Sequence, residues 1–562
     1  MTARAQHLTE GPRGAAAGPP VDDAYDGLGP IDDVWWLPLG ADDASADLDA
    51  RRDDFGWDDE LHGLLDGDAW AFADSDETVT AVRDLIDWLA TLVPDEPVGE
   101  AGVVGAAGLE GSPADLIDLI GGLERLKGAI AATQARATAA FAREVVRDAF
   151  ARRASARKAR SAIAPQIALA RRCSPATADR YLALARALPG MPHTQAALTE
   201  GVIDERAAGA IVRETSVLTP ELRARVDELI APRLATSSLK QLAGAAARHA
   251  AELDPAAVVA KHERALSERG AWTRPAPDGM AYLSIFGPLT GIVGAYASLL
   301  RHATAVVAGH CETDSEESLA DPLDGRTHAQ VMSDTAIRWL SGVTPGQAVP
   351  VALNLVMPAE ALFATDDATT VQPSVRPPRS RETPARIPGH GILPAALARR
   401  LLLHGCEAPD TAKYKPPERD SSPPGSPPGG TRLAEPAQVF LTRVFASPDG
   451  RDLLALDATA RLFPPKLRAA LIVRDDRCRT PYCDASIRHA DHIQSANSGG
   501  PTSLSNGQGL CVRCNYTKEL EGFSTRVLDE HHVPGAGPNT HVTEVTTPTG
   551  HLYVSVAPPL LE

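Results

Sequence analysis

Four cysteines fall in one 37-residue window, as Cys478-x4-Cys483, an insert of 27 residues, and Cys511-x2-Cys514. Two close pairs across a short insert can gather four thiolates around one Zn²⁺. Cys173, Cys311 and Cys406 are scattered elsewhere. Clustering of this kind in a chain without a secretion signal points to metal rather than to disulfides. A four-thiolate site leaves no open position, so the ion would hold the fold and take no part in a reaction. A module this small has too little core to fold unaided, and the ion would supply that stability.

Between and after the pairs lie polar residues of catalytic type: Asp491-His492, Asn506-Gly507, Asn515 and Lys518. The run into Asp491-His492 alternates like a strand, which sends the two side chains to opposite faces. Gly499-Gly500-Pro501 marks a loop, and Asn515 and Lys518 open a helix after the last cysteine. Hydrolysis of a phosphodiester needs a base for the attacking water, and histidine suits that role near neutral pH. It needs a hard divalent ion to neutralise the scissile phosphate and the leaving oxygen. It also needs oxygen ligands for that ion, which Asp and Asn provide for Mg²⁺. Taken singly, a His beside an Asp is a common surface pair, Asn506 a common turn residue and Lys518 a common solvated helix residue. Inside the cysteine frame they compose a site.

The strings CRTPYCDASIRHADHI and GGPTSLSNGQGLCVRCNYTKE resemble the HNH (ββα-metal) endonuclease motif in its cysteine-framed form, over about residues 474–522. The resemblance implies His492 as general base, Asp491 with Asn515 as ligands of a catalytic Mg²⁺ or Mn²⁺, and Asn506 as the residue orienting the loop and the base. It implies Lys518 as a phosphate contact and Zn²⁺ on Cys478, Cys483, Cys511 and Cys514. Asn515 stands where the motif often has His, as in other branches of the family. His489, two residues before Asp491, would be at most an outer residue of the site. Upstream, RALPGMPHTQAALTEGVIDERAAGAIV, RPAPDGMAYLSIFGP, RTHAQVMSD and DATARLFPPKLRAALIVRD resemble the actinobacterial 13E12-repeat proteins, which couple a helical domain of unknown function to a C-terminal HNH motif. Enzymes of the HNH family nick or cleave nucleic acid in mobile elements, repair or defence. DNA is the implied partner. The alternative is a DNA-binding or regulatory protein whose zinc module is purely structural.

The elements that must position these residues can be read from composition and pattern. The chain has 562 residues, 44% hydrophobic and 23% charged, which fits a multidomain globular protein. Aromatics are only 4%, so packing must rest on Ala-rich helices. The expected fold is mainly α: a multidomain helical protein with a small C-terminal zinc-stabilised ββα-metal domain and disordered linkers. Residues 1–75 read as an acidic, largely disordered arm, 76–363 as a helical domain, and 364–436 as a Pro-rich linker region with one short helix, Leu393–Leu403. Residues 437–530 read as the HNH domain and 531–562 as a C-terminal tail.

Within 76–363, Ser112-Pro113-Ala114-Asp115 predicts a capped helix start and an Ala-rich helix to about Ser161. Helices are expected over 176–187, 194–199, 204–215, 221–230, 288–307 and 326–342, at spacings compatible with helix-turn-helix packing. Strands are expected over 279–286, Val351–Met357, Val439–Phe445 and Leu453–Leu456, the last two joined by a turn at Ser447-Pro448-Asp449-Gly450. No secretory signal is visible, and the most apolar stretch, Leu289 to Val307, is broken by Arg301 and His302, so a cytoplasmic protein without membrane spans is expected.

The net charge of −18 excludes a uniformly basic nucleic-acid coat but permits local basic sites. Between Arg136 and Arg172 ten basic residues face two acids, a net +8, and from Arg461 to Arg526 ten face six, a net +4. The first run is either a solvated face or a stripe that tracks phosphates. Residues 21–70 carry sixteen acids, two Arg and four of the seven Trp. This arm is either solvated or docks on the protein's own basic surface in the manner of a nucleic acid. Docking predicts that deleting residues 1–75 raises DNA affinity at low salt, measured by anisotropy with a labelled duplex; unchanged affinity leaves the solvated reading.

Overall fold

A computed structural model describes residues 75–91, 112–277, 279–308, 326–342, 355–357, 383–404, 457–458, 462–528, 533, 536–537 and 539–560. The acidic arm as far as residue 74, the expected strands at 439–445 and 453–456 with their turn, and most of Val351–Met357 lie outside these residues. The described residues are mainly helical, with small sheets toward the C-terminus. None of their helices is long and apolar enough to cross a membrane. Residues 293–308 and 326–342 cluster as a small unit, and the remaining described residues form a larger one.

In the larger unit, α1 spans Ser75–Thr91 and α2 spans Pro113–Ala151. The Ser112 hydroxyl accepts from the Asp115 N–H at 3.2 Å, and the Asp115 carboxylate accepts from the Ser112 N–H at 2.9 Å. This reciprocal cap and Pro113 satisfy the first turn. The expected helical stretch to about Ser161 is made of two helices: α2 ends at Ala151, Arg153 turns to a φ of 54°, and α3 (Ala156–Ser161) restarts from the Ser155 hydroxyl. There follow α4 (Ile163–Ala170), α5 (Pro175–Ala187), α6 (Pro192–Thr199), α7 (Glu205–Thr215), α8 (Pro220–Ile230), α9 (Leu239–Leu253) and α10 (Pro255–Ser267).

The core of this domain shows why the chain is Ala-rich. Ala131, Ala132, Ala135 and Ala139 form a buried stripe on α2 and pack with Leu184, Leu198 and Ile211. The closest approach has no room for a side chain: a Cβ on Gly128 would lie 2.8 Å from the Gly201 Cα. The helix-turn-helix spacing serves packing here, because α7 buries six of its eleven residues, Ile211 completely. The start of α6 has no cap from its own flank. Asp227 on α8, fully buried, provides one from a distance. Its carboxylate accepts the His193 N–H at 2.7 Å, the Thr194 N–H at 2.9 Å and the Thr194 hydroxyl at 2.6 Å.

β1 (Gly270–Pro275) and β2 (Ala281–Phe286) form an antiparallel hairpin, of which β2 alone was legible in the sequence. The helices α11 (Leu289–Val307) and α12 (His328–Ser341) match expectation. In the small unit the His302 ring lies 5.4 Å from that of Trp339.

Residues 364–436 are more than a linker with a helix. β3 (Ala385–Ile387) and β4 (Gly391–Leu393) form a hairpin ahead of α13 (Ala395–His404), and Val356 bridges to Arg386. The C-terminal region then holds β5 (Asp457–Ala458), α14 (Pro465–Asp475), β6 (His489–His492), β7 (Thr502–Ser503), β8 (Gly507–Leu510) and α15 (Val512–Lys518). Residues 531–562, expected as a tail, carry β10 (Val542–Thr546) and β11 (Leu552–Val556), which pair with β9 (Ser524–Val527) in one antiparallel sheet. With four or five residues each, these strands are too short to show a period.

Because Asp227 is the only observed side-chain cap of α6 among the described residues, Asp227→Ala should destabilise the helical domain by roughly 2–4 kcal/mol. The check is a urea titration of the full chain followed by helical circular dichroism; an unshifted midpoint contradicts the capping role.

Candidate active site

β6 and β8 pair antiparallel, with Asp491 opposite Gln508 and His492 opposite Gly507, and α15 follows directly. This is a ββα arrangement. β8 is glycine-rich because neighbours press on it: a Cβ on Gly507 would lie 2.8 Å from the Phe463 ring. α14 packs against β8 and fixes the hairpin from behind.

The four cysteines meet as expected. All are buried, and their Sγ atoms lie within 4.8 Å of one another. Cys483 Sγ stands 3.9 Å from Cys511 Sγ and 3.7 Å from Cys514 Sγ. A tetrahedron with metal–sulfur bonds of ~2.3 Å has edges of ~3.8 Å, so the donor set fits a tetrahedral metal ion such as zinc. Burial opposes ionisation of Cys478, but hydrogen bonds from Cys483, Cys511 and Cys514 outweigh it and hold that thiol well below its ordinary range. Cys483 and Cys514, hydrogen-bonded to Cys478, are pushed well above theirs. Cys511 also caps α15, its sulfur accepting the Cys514 N–H at 3.4 Å.

His492 stands at the end of β6. Its Nε2 lies 2.9 Å from the Thr502 hydroxyl, and its ring packs on Phe463 with centroids 4.5 Å apart. Burial lowers its pKa, Lys518 adds to this and Asp491 opposes it. The imidazole is thereby held in the neutral form a base requires. Asn506 is buried and clasps the loop at 494–501: its Oδ1 accepts the Gln494 N–H at 2.8 Å, and its Nδ2 donates to the carbonyls of Gln494 and Pro501 at 3.0 and 2.8 Å. The Ile493 N–H in turn donates to the Asn506 carbonyl at 2.8 Å.

Lys518, expected as a phosphate contact, is paired within the protein. Its ammonium lies 2.5 Å from Asp491 Oδ2 and donates to the His492 carbonyl at 2.7 Å. It therefore sits on the expected metal ligand, where the resemblance implied a phosphate contact. Asp491, flanked by this cation, also accepts from Gln508 Nε2 at 3.4 Å. Asn515 is half-buried on α15, one turn before Lys518, and no hydrogen bond joins it to Asp491. The Asp491 carboxylate thus holds a cation, the Lys518 ammonium, and Asn515 lies on the same helix as that lysine. His489 opens β6 opposite Leu510.

Sequence reasoning missed the residues behind the site. Asp475, fully buried, is bracketed by Arg474 Nε at 2.7 Å and Arg479 Nε at 3.6 Å, and it accepts the Gly509 N–H at 2.7 Å. Burial favours its neutral form, but the guanidinium of Arg474 and then that of Arg479 outweigh burial and lower its pKa. Arg474 donates to the carbonyls of Leu504 and Gly507 on either side of Asn506, at 2.5 and 2.8 Å. Arg479, between the first two cysteines, donates to the carbonyls of His541 and Ser555 at 3.1 and 2.9 Å. The only sequence signal was an Arg-Asp pair ending a helix next to an Arg inside the cysteine loop.

The helical domain reaches this site directly. Arg513 on α15 forms a bidentate pair with Asp179 on α5, one arm at 3.0 Å. The Thr549 hydroxyl donates to Gln166 on α4 at 3.1 Å. At the other side, Gly389 in the β3–β4 turn donates to Asp476 Oδ1 at 3.0 Å and accepts from Arg477 at 3.1 Å.

His541 supplies a pH test. Its Nε2 lies 2.9 Å from the Ser505 carbonyl, its buried Nδ1 has no partner, and burial together with Arg474 and Arg479 lowers its pKa to about 3. The unfolded chain takes up this proton near pH 6.5, while the folded chain does not until about pH 3. The contribution is therefore complete above pH 6.5 and is lost as pH falls toward 3. His541→Gln, which keeps a donor for Ser505, should flatten the acid loss of stability by about 1.4 kcal/mol per pH unit in that window; parallel curves for the two proteins in urea melts at stepped pH contradict it.

Two family models match the chain: a domain of unknown function, DUF222, over residues 127–405, and HNH endonuclease over residues 477–521. No curated protein and no solved structure matches it. The HNH match takes in Asp491, His492, Asn506, Asn515, Lys518 and all four clustered cysteines. The chain thus joins a DUF222 domain to a C-terminal HNH endonuclease domain.

Proposed function

We propose that this protein is a metal-dependent endonuclease that hydrolyses DNA phosphodiester bonds at the β6–β8–α15 site. The observation that carries the reading is the neutral, oriented His492 next to Asp491, on a strand facing a helix that brings Asn515 and Lys518. His492 takes the proton of the attacking water, with the Thr502 hydroxyl and the Phe463 ring fixing its plane. Asn506 holds the loop beyond His492, so the base keeps its position through the reaction. Asp491 and Asn515 are the residues to hold Mg²⁺ or Mn²⁺, which supplies charge neutralisation at the scissile phosphate and the departing 3′ oxygen. Lys518 balances the Asp491 charge when no substrate is bound and would turn to a phosphate oxygen when DNA binds. Cys478, Cys483, Cys511 and Cys514 are the ligands for a structural Zn²⁺, and the thiolates it requires release protons on binding.

One observation favours a second reading, that of a DNA-binding or regulatory protein with a lapsed site. The Lys518 ammonium already neutralises Asp491. Plasmid nicking separates the two. Full-length protein should convert supercoiled DNA to the open circle with Mg²⁺ or Mn²⁺ and stop with EDTA. His492→Ala should retain DNA binding and lose nicking by on the order of 10²–10⁴-fold. Zinc-loaded protein that binds DNA but never nicks it supports the second reading.

A further inference from the structure

Four non-glycine residues have positive φ among the described residues: Arg153, Arg172, Asp476 and Tyr482. Asp476 uses its position to hold the Gly389 N–H, and Tyr482 shapes the Cys478–Cys483 loop. The two arginines call for another explanation. Each stands just past the end of a helix in the same hydrogen-bonded turn. After α2, Ala154 N–H donates to the Ala149 carbonyl and Arg153 N–H to that of Phe150. After α4, Cys173 N–H donates to the Ala168 carbonyl and Arg172 N–H to that of Leu169. In this turn the left-handed position is ordinarily glycine, because a Cβ there crowds the backbone. The same turn after α6 does carry glycine, Gly201, at φ 69°. A conformation that disfavours side chains is thus occupied twice by the longest cation, and in both cases the side chain is exposed. No hydrogen bond or ion pair holds either guanidinium among the described residues. Arg171, beside Arg172, is by contrast fully used: it pairs with Glu205 at 3.0 and 3.1 Å and stacks on Tyr181.

The stretch between these turns adds exposed Arg157 and Lys158, and Arg152 lies next to the first. From Arg147 to Arg172 there are eight basic residues and one acid. The second turn also borders the catalytic region. Leu169 and Pro175, on either side of Arg172, line one cavity with Cys514 and Lys518. Four residues after Pro175, Asp179 grips Arg513. Two short helices, α3 and α4, lie between the two arginine turns.

We propose that Arg153 and Arg172, with Arg152, Arg157 and Lys158, form a phosphate-tracking surface on the DUF222 domain that receives duplex DNA alongside the HNH site. The inference rests on the nuclease reading for its choice of DNA as partner. Strain accepted at exposed cationic positions marks a functional demand, since glycine would relieve it at once. The surface would read charge and carry no base specificity.

The double variant Arg153→Gly, Arg172→Gly tests this because it improves the fold while removing the contact. Binding is measured by anisotropy with a labelled 30-base-pair duplex over a salt series, in the His492→Ala background. The double variant Arg225→Ala, Arg248→Ala, on α8 and α9, serves as a control for the simple loss of two charges. The expected result is a higher melting temperature, affinity lowered about three- to tenfold at ~0.1 M salt, and a salt slope shallower by about 1.8, since each lost phosphate contact removes ~0.9. A higher melting temperature with affinity and slope equal to those of the control overturns the proposal. Plasmid nicking by otherwise wild-type protein keeps the two readings apart. If it nicks but the glycine variant binds unchanged, the surface fails and the nuclease stands. If it never nicks but the slope falls as expected, the nuclease reading fails and the surface stands.

Discussion

The carboxylate of Asp475 is the constraint on which the HNH hairpin and the C-terminal sheet depend. It lies between two buried guanidinium groups and takes the Gly509 N–H from β8. Through Arg474 it reaches the carbonyls flanking Asn506, and through Arg479 those of His541 and Ser555. One anion therefore relates the back of the catalytic hairpin, the first cysteine loop and the C-terminal sheet. Removing one member of a buried charge group is severe, because its partners stay buried without compensation. The cysteine cluster sits on the same frame, since Arg479 follows Cys478 directly and its N–H bonds Gly509.

The site was legible wherever the chemistry is dense in the chain. Cys478, Cys483, Cys511 and Cys514 announce themselves by spacing, and they do come together. Asp491, His492 and Asn506 could be placed on a strand and a turn because only short segments separate them. Helix starts were legible too: Ser112 and Ser174 each precede a proline at the first helical position and cap the helix found there. What escaped depends on partners far away in the chain. Lys518 was expected as a phosphate contact, but its pairing with Asp491, 27 positions earlier in the chain, was not legible. The caps of α6 come from Asp227, more than thirty residues downstream. The β3–β4 hairpin and the sheet at residues 524–556 have strands of three to five residues, too short to show a period.

The helical domain and the HNH domain are joined at both ends of the catalytic unit. α15, which carries Cys514, Asn515 and Lys518, is gripped in its first turn by Asp179. The end of α14, which carries the Arg474–Asp475 pair, is gripped by the β3–β4 turn. The geometry of the site is thus a property of both domains, and the region matched as DUF222 supplies contacts as well as chain length.

The order of these contacts along the chain matters during synthesis. Asp179, Gln166 and the hairpin at 385–393 leave the ribosome before α15 exists, so the residues that grip the HNH domain are synthesised ahead of it. Arg479 is different, because the carbonyl of Ser555 that satisfies it lies 76 residues later. Until β11 emerges, a nascent chain has its cysteines and its histidine but an incompletely satisfied cation beneath them. A chain interrupted before that strand would carry the whole motif without the support that keeps it in place.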